Sequence, residues 1–319
     1  MQVKEFATPS NGRGFFEVGL TLSLFFSFLV LAGFVSKYSA VSAVLLGIPT
    51  GLLLVRIFVL QHDCGHRSLF VSAGLNLWIG RFLALLSLTP FSDWRRKHHV
   101  HHQHTGQLDV QRHEGAVWLC TTTEFSELSQ FKRFCYRLYH FPPILHCIGP
   151  TLLFVLQYRL WWLEEHPIDR KSMLVTNLVL IPILGTTLYI IGFKLLVLVF
   201  FSAIVTASTV GVWFFYIQHI FEDAYFARVD KYDRRDAIMK GSSFYQLPRF
   251  FDWLTGSIGY HSIHHLNPSI PSYRLRACWN KVGGYFSETP RFNFLQSFRL
   301  IGLSLWDEKT QKMVRFNYQ

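Results

Sequence analysis

Apolar residues in this chain come in long runs rather than in alternation, which predicts helices rather than half-buried strands. Four runs are long enough to cross a bilayer, whose hydrocarbon core takes about 20 helical residues. They lie at roughly 15–36, 39–60, 173–193 and 195–217, the second carrying Arg56 near its end and the last two joined by a turn near Gly192–Lys194. Two further apolar stretches, 69–90 and 143–163, are interrupted by Asn76 and Arg81 and by His146, Tyr158 and Arg159. Polar content of that kind predicts helices in or just below the interface rather than across it. Ala40-Val-Ser-Ala43 imitates a signal-peptidase site, but the apolar run before it is longer than the h-region of about 7–15 residues. Four uncleaved spans place both termini on one side.

Charge supports the same arrangement. Segments 61–172 and 218–319 hold 12 and 14 Lys/Arg, whereas the two short connections hold one each, Lys37 and Lys194. By the positive-inside tendency the large segments and the termini face the cytoplasm. Half the residues are hydrophobic and only 16% are charged, against about 25% in soluble domains. The net charge of +11 is not gathered into a dense run, so topology explains it and no nucleic-acid partner is expected. Five cysteines without a CxxC pair argue against a disulfide framework or a cysteine zinc site. No repeat or linker divides the chain. The expectation is all-α: a single integral-membrane domain over 1–319, with four transmembrane helices and a cytosolic helical cap.

Histidine is the outlier, with fifteen residues, nine of them in three tight clusters. They are His62-Asp63-Cys64-Gly65-His66, His98-His99-Val100-His101-His102, and His261-Ser262-Ile263-His264-His265. Residues at i, i+3 and i+4 share one helix face, so HxxxH and HxxHH aim two or three imidazoles in one direction. His99 falls outside that frame. A lone histidine is ordinarily a surface or core residue, and His99, His104, His113, His140, His146 and His166 keep that reading; His104 is also a candidate partner for a ligating ring. The eight remaining imidazoles, His62, His66, His98, His101, His102, His261, His264 and His265, exceed the four ligands of a structural zinc site. Imidazole suits iron, zinc, copper and nickel. A di-metal centre fits the count.

With these residues the chain resembles the membrane fatty-acid desaturase family, most closely its acyl-lipid, oleate-type branch. The resemblance rests on Trp94-Arg95-x-x-His98-x-x-His101-His102-x-x-Thr105-Gly106-x-Leu108-Asp109 and on Trp253-x-Thr255-Gly256-x-Ile258-Gly259-Tyr260-His261-x-x-His264-His265-Leu266-x-Pro268. It runs from about residue 50 to 280. It implies two non-haem iron ions and a ninth ligand at the cytosolic end of the fourth span, where His219 stands. It also implies an enzyme that uses dioxygen to place a cis double bond in a fatty acyl lipid or acyl thioester, within a bacterial inner membrane. Ser262 stands where many relatives have another histidine, outside the HxxHH frame. No cytochrome-b5-type haem motif or GxGxxG turn is found, so electrons are expected from a separate carrier of ferredoxin or cytochrome b5 type. Asp63, Asp109, Asp252 and Gln218 are candidates for orienting the rings.

Related histidine-cluster hydroxylases and ketolases acting on lipids or carotenoids form the nearest alternative. An intramembrane metalloprotease would need HExxH, and Asp63 follows His62. A metal transporter would hold its site near the bilayer midplane, whereas these clusters stand at helix ends.

Overall fold

The computed structural model describes residues 2–110 and 117–316. Helix boundaries follow capping chemistry more than hydropathy. α1 (Asn11–Val35) starts after Ser10, whose side chain accepts from the Arg13 amide, and α2 (Ala40–Gly65) starts after Ser39 in the same way. α2 continues past the expected end at 60, with Gln61, His62, Asp63 and Cys64 all buried. The first histidine cluster therefore rides on the last turn of the span itself.

α3 (Ala73–Leu86) and α4 (Phe91–His104) occupy the first ambiguous stretch and its continuation, bent by 104° at the break. After two short helices, α5 (Thr122–Glu127) and α6 (Gln130–Tyr139), the second ambiguous stretch forms a π-helical turn at Ile144–Ile148 and then α7 (Gly149–Val155). α8 (Pro167–Leu195) begins earlier than predicted, with Pro167 in its first turn, where a missing N–H costs nothing. Gly192 breaks the helical path with φ 77°, a conformation glycine adopts without penalty. A π-helical turn, Leu196–Phe201, then leads into α9 (Ser202–His219). Among the described residues, four helices are thus long and apolar enough to cross a membrane.

α2 and α9 make the central seam. A Cβ built on Gly47 would stand 1.9 Å from Ser202 Oγ, and one on Gly51 would stand 2.5 Å from Thr206 Cβ and 2.6 Å from the Ala203 carbonyl. Small residues four apart allow that approach. The matched order of these contacts makes the two helices parallel. Their C-terminal ends, at His62 and His219, consequently reach the same layer.

That layer contains α4, α10 (Arg234–Met239), α11 (Arg249–Leu254), α12 (His261–Leu266), α13 (Ser272–Val282) and α14 (Phe294–Ser297). The described residues are mostly helical, as expected, and add five short strands. β1 (Cys120–Thr121) pairs parallel with β4 (Leu305–Asp307), which pairs antiparallel with β5 (Lys312–Val314); β2 (Phe244–Gln246) pairs parallel with β3 (Arg291–Asn293). The Asp307 carboxylate fastens the β4–β5 turn by accepting from the Lys309 amide (3.0 Å) and the Thr310 hydroxyl (2.8 Å). Strands of two or three residues are too short for a period-two pattern to show.

Candidate metal centre

Each cluster presents its rings because of where its helix ends. α2 carries His62 in its last turn and His66 as its C-cap residue. α4 carries His98, His101 and His102 on one face, and α12 carries His261, His264 and His265 in one and a half turns. His219 is the last residue of α9. All nine imidazoles predicted from sequence and resemblance come together.

They form two sets. His62, His66, His98, His102 and His264 each offer one nitrogen within 4.8 Å of the others, and His101, His219, His261 and His265 do the same. Within the first set, His98 Nε2 lies 3.0 Å from the Nε2 atoms of both His66 and His102. Within the second, His219 Nε2 lies 3.1 Å from that of His101 and 2.9 Å from that of His261. The sets adjoin, with the rings of His102 and His265 stacked at 4.3 Å.

Electrostatics favour the neutral form of seven of these rings. Burial, reinforced by the neighbouring imidazoles, holds His66, His98, His101, His102, His261, His264 and His265 well below the ordinary histidine range. Two tautomers are fixed by the protein. His219 Nδ1–H donates to the Gly241 carbonyl (3.0 Å). The Thr105 hydroxyl donates to the His101 carbonyl (2.6 Å), so His265 Nδ1–H donates to Thr105 Oγ1 (3.3 Å). Both Nε2 atoms are then bare lone pairs aimed into one buried space. Converging lone pairs repel unless a cation lies between them, and an all-nitrogen donor set suits a transition metal. The residues present fit a pair of such ions.

The supporting residues differ from those expected. Asp63 Oδ1 lies 3.5 Å from His62 Nδ1, while its Oδ2 accepts from the Ser272 amide (2.7 Å) and so ties α2 to α13. Gln218 donates to the Ile258 carbonyl (2.9 Å), Asp252 binds Arg276 and the Ser257 hydroxyl, and Asp109 receives Arg228 and the Val229 amide. These three brace loops rather than rings. Gly241 and Thr105 orient rings instead, and Trp94 stacks on His98 at 4.8 Å and 14°. A backbone carbonyl such as that of Gly241 leaves no mark in a sequence. Thr105 lies within the second histidine motif, and its hydroxyl is the available signal. Of the other histidines, His99 is exposed beside Gln103, His104 bonds Gln107, and His113 lies outside the described residues.

A second cluster, Asp93, Glu164 and Asp169, is already bridged by cations. Lys97 reaches Asp93 (2.7 Å) and Glu164 (2.8 Å), and Arg96 forks onto Asp169. It clamps α4 to the start of α8.

Beside the centre lies a cavity of about 850 Å³, walled mainly by apolar residues of α2, α7 and α9. His62, His98 and His261 border one end, next to Trp94 and Lys97, while Leu54 and Ile204 border the other.

Paired histidine sets at the head of a deep apolar cavity define the class: a metal-centre protein shaped for long apolar molecules. The chain belongs to the fatty acid desaturase family, whose model matches residues 39–294, and with that family it is an oxidoreductase of fatty acids. It is 32% identical to a fatty acid desaturase of Bacillus subtilis over 315 residues, covering 99% of this chain and 89% of that one. An sn-1 oleoyl-lipid 12-desaturase of Anabaena variabilis is 27% identical, covering 77% of this chain and 71% of its own. An endoplasmic-reticulum omega-3 fatty acid desaturase of Vigna radiata is 26% identical, covering 75% and 65%.

Proposed function

We propose that this chain places a cis double bond in the acyl chain of a membrane lipid, with the nine histidines holding two iron ions. The observation that carries the reading is the convergence of two all-imidazole sets at one end of an apolar cavity. Bound there, the iron pair would supply the oxidising power, drawn from dioxygen and externally delivered electrons, that removes one hydrogen from each of two adjacent methylenes. The protein's own share is position. An unactivated C–H bond gives an acid or base no handle, so the cavity contributes placement: its wall of Phe58, Phe215 and Ile258 holds the chain against His62, His98 and His261. The neutral rings are free to bind metal without first losing a proton.

Membrane insertion is supported by α8, where Tyr189 is 91% and Ile190 72% exposed within a long apolar run; lipid is the solvent that suits such a surface. The charge distribution orients the centre and both termini to the cytoplasm, with the whole chain acting as one domain. Electrons come from a separate ferredoxin or cytochrome b5. The relatives named for oleoyl-lipid support an acyl-lipid substrate.

The test is expression in a desaturase-poor host, with fatty acids profiled by gas chromatography and iron counted per purified chain. Wild type yields new double bonds and close to two irons. His101→Ala abolishes the double bonds, a loss of at least about a hundredfold, and lowers the iron count. New hydroxyl or keto groups without double bonds would instead establish the hydroxylase or ketolase alternative. Undiminished desaturation and iron in His101→Ala would overturn the ligand assignment.

A further inference from the structure

The cavity has a measurable depth along α9. Ile204, Ser208, Gly211, Phe215 and Gln218 all line it, and steps of three and four place them on one helix face. Gly211 sits at the middle of that face, eight residues before His219, or about 12 Å at 1.5 Å per residue. Ile204 lies about 22 Å from His219 by the same measure.

Two kinds of glycine shape the space. Beneath it, Gly47 and Gly51 press α2 against Ser202 and Thr206 with no room for a Cβ, so the helices close the floor. At Gly211 the reverse holds, because an added Cβ would meet no atom within 4 Å. A mid-helix glycine is unfavourable relative to alanine, and no close helix contact or positive φ requires one at this site. What the missing side chain provides is open lumen. The nearby hydroxyls do not compete for a ligand, since Ser208 and Thr151 bond each other at 2.9 Å.

We propose that Gly211 sets how far an acyl tail extends beyond the metal centre, and so selects chain length. The inference rests on reading the cavity as the acyl site. A side chain at 211 projects across the lumen about halfway from Ile204 to His219 and meets the tail of a long substrate but not that of a short one. Refusal of a methylene by an apolar pocket is worth roughly 10- to 200-fold in specificity.

The test compares wild type, Gly211→Ala and Gly211→Leu in the desaturase-poor host, fed a graded series of even-numbered saturated fatty acids. Binding of the same radiolabelled fatty acids to the purified full-length proteins is measured alongside, with iron content as the check on folding. Gly211→Leu should lower the ratio of long to short products at least about tenfold, with the short products and iron retained. Gly211→Ala should move the ratio in the same direction by less, which keeps the test alive if the leucine variant does not fold. An unchanged ratio in active, folded variants overturns the assignment while leaving desaturation standing. If wild type makes no double bond but Gly211→Leu selectively loses the longer ligands in binding, the desaturase reading fails and the length-setting role of Gly211 survives. Equal binding of long and short ligands by all three proteins overturns it.

Discussion

Arg56 is a charge buried in an apolar span, and removing its counter-charge should cost more than removing both. Its guanidinium is 3% exposed and donates to the Glu17 carboxylate, to Thr21 Oγ1 (3.0 Å) and to the Trp253 carbonyl, while lying 4.2 Å from the centre of the Trp253 ring. Glu17 is 1% exposed and also receives Arg13 at 2.5 Å. One guanidinium thus clasps α1, α2 and α11, and α11 leads directly into the third histidine cluster.

Glu17→Leu leaves Arg56 buried without its anion, at a cost of about 3–5 kcal/mol. The lost contact with Arg13, whose side chain is half exposed, adds at most about 1 kcal/mol. Arg56→Met costs less, because Glu17 keeps Arg13. In the double variant no ion is stranded; the loss reduces to the bonds with Thr21 Oγ1 and the Trp253 carbonyl and the ring contact, about 1–3 kcal/mol together. The cycle should therefore show a coupling of about 2 kcal/mol or more, the double variant being more stable than Glu17→Leu alone. Reversible unfolding in detergent of all four proteins, followed by tryptophan fluorescence, measures it. Iron content should track the same order, since Trp253 stands eight residues before His261. Additive losses, or a double variant weaker than Glu17→Leu, would refute the argument.

The α2–α9 seam gives a steric prediction: Gly51→Ala should lower thermal stability by about 1–3 kcal/mol, because the new Cβ meets the Ala203 carbonyl and Thr206. Gly19→Ala, at an open position on α1, should raise it by about 0.5–1 kcal/mol, so thermal melts of the two variants should move in opposite directions. His140 gives a pH prediction. Burial lowers it to about 4, and its Nε2–H donates to the Trp118 carbonyl (2.8 Å). The unfolded chain takes up that proton first as pH falls, so the contribution is complete above about 6.5 and drains away toward 4, by about 3 kcal/mol. His140→Gln keeps a donor and does not titrate; stability measured across that window should fall less steeply in the variant than in wild type.

How much of this was legible depended on whether an interaction has a period. HxxxH and HxxHH translate into geometry through the helical repeat alone, which is why eight imidazoles could be placed from spacing and why they meet. His219 has no such repeat; a single histidine after an apolar helix looks interfacial, and only the family resemblance raised it. The parallel seam that brings α9 to the centre lay in Gly47-Ile-Pro-Thr-Gly51, where the glycines read as interruptions of a span rather than as a contact. Ring orientation was the least legible layer. Carboxylates were natural candidates to face histidines, yet each of Asp109 and Asp252 found an arginine first, and a buried neutral ring gains more from a neutral acceptor than from an anion that burial would penalise. The hydroxyl of Thr105 and the carbonyl of Gly241 meet that need, and they leave the charge in the centre to be set by the metal.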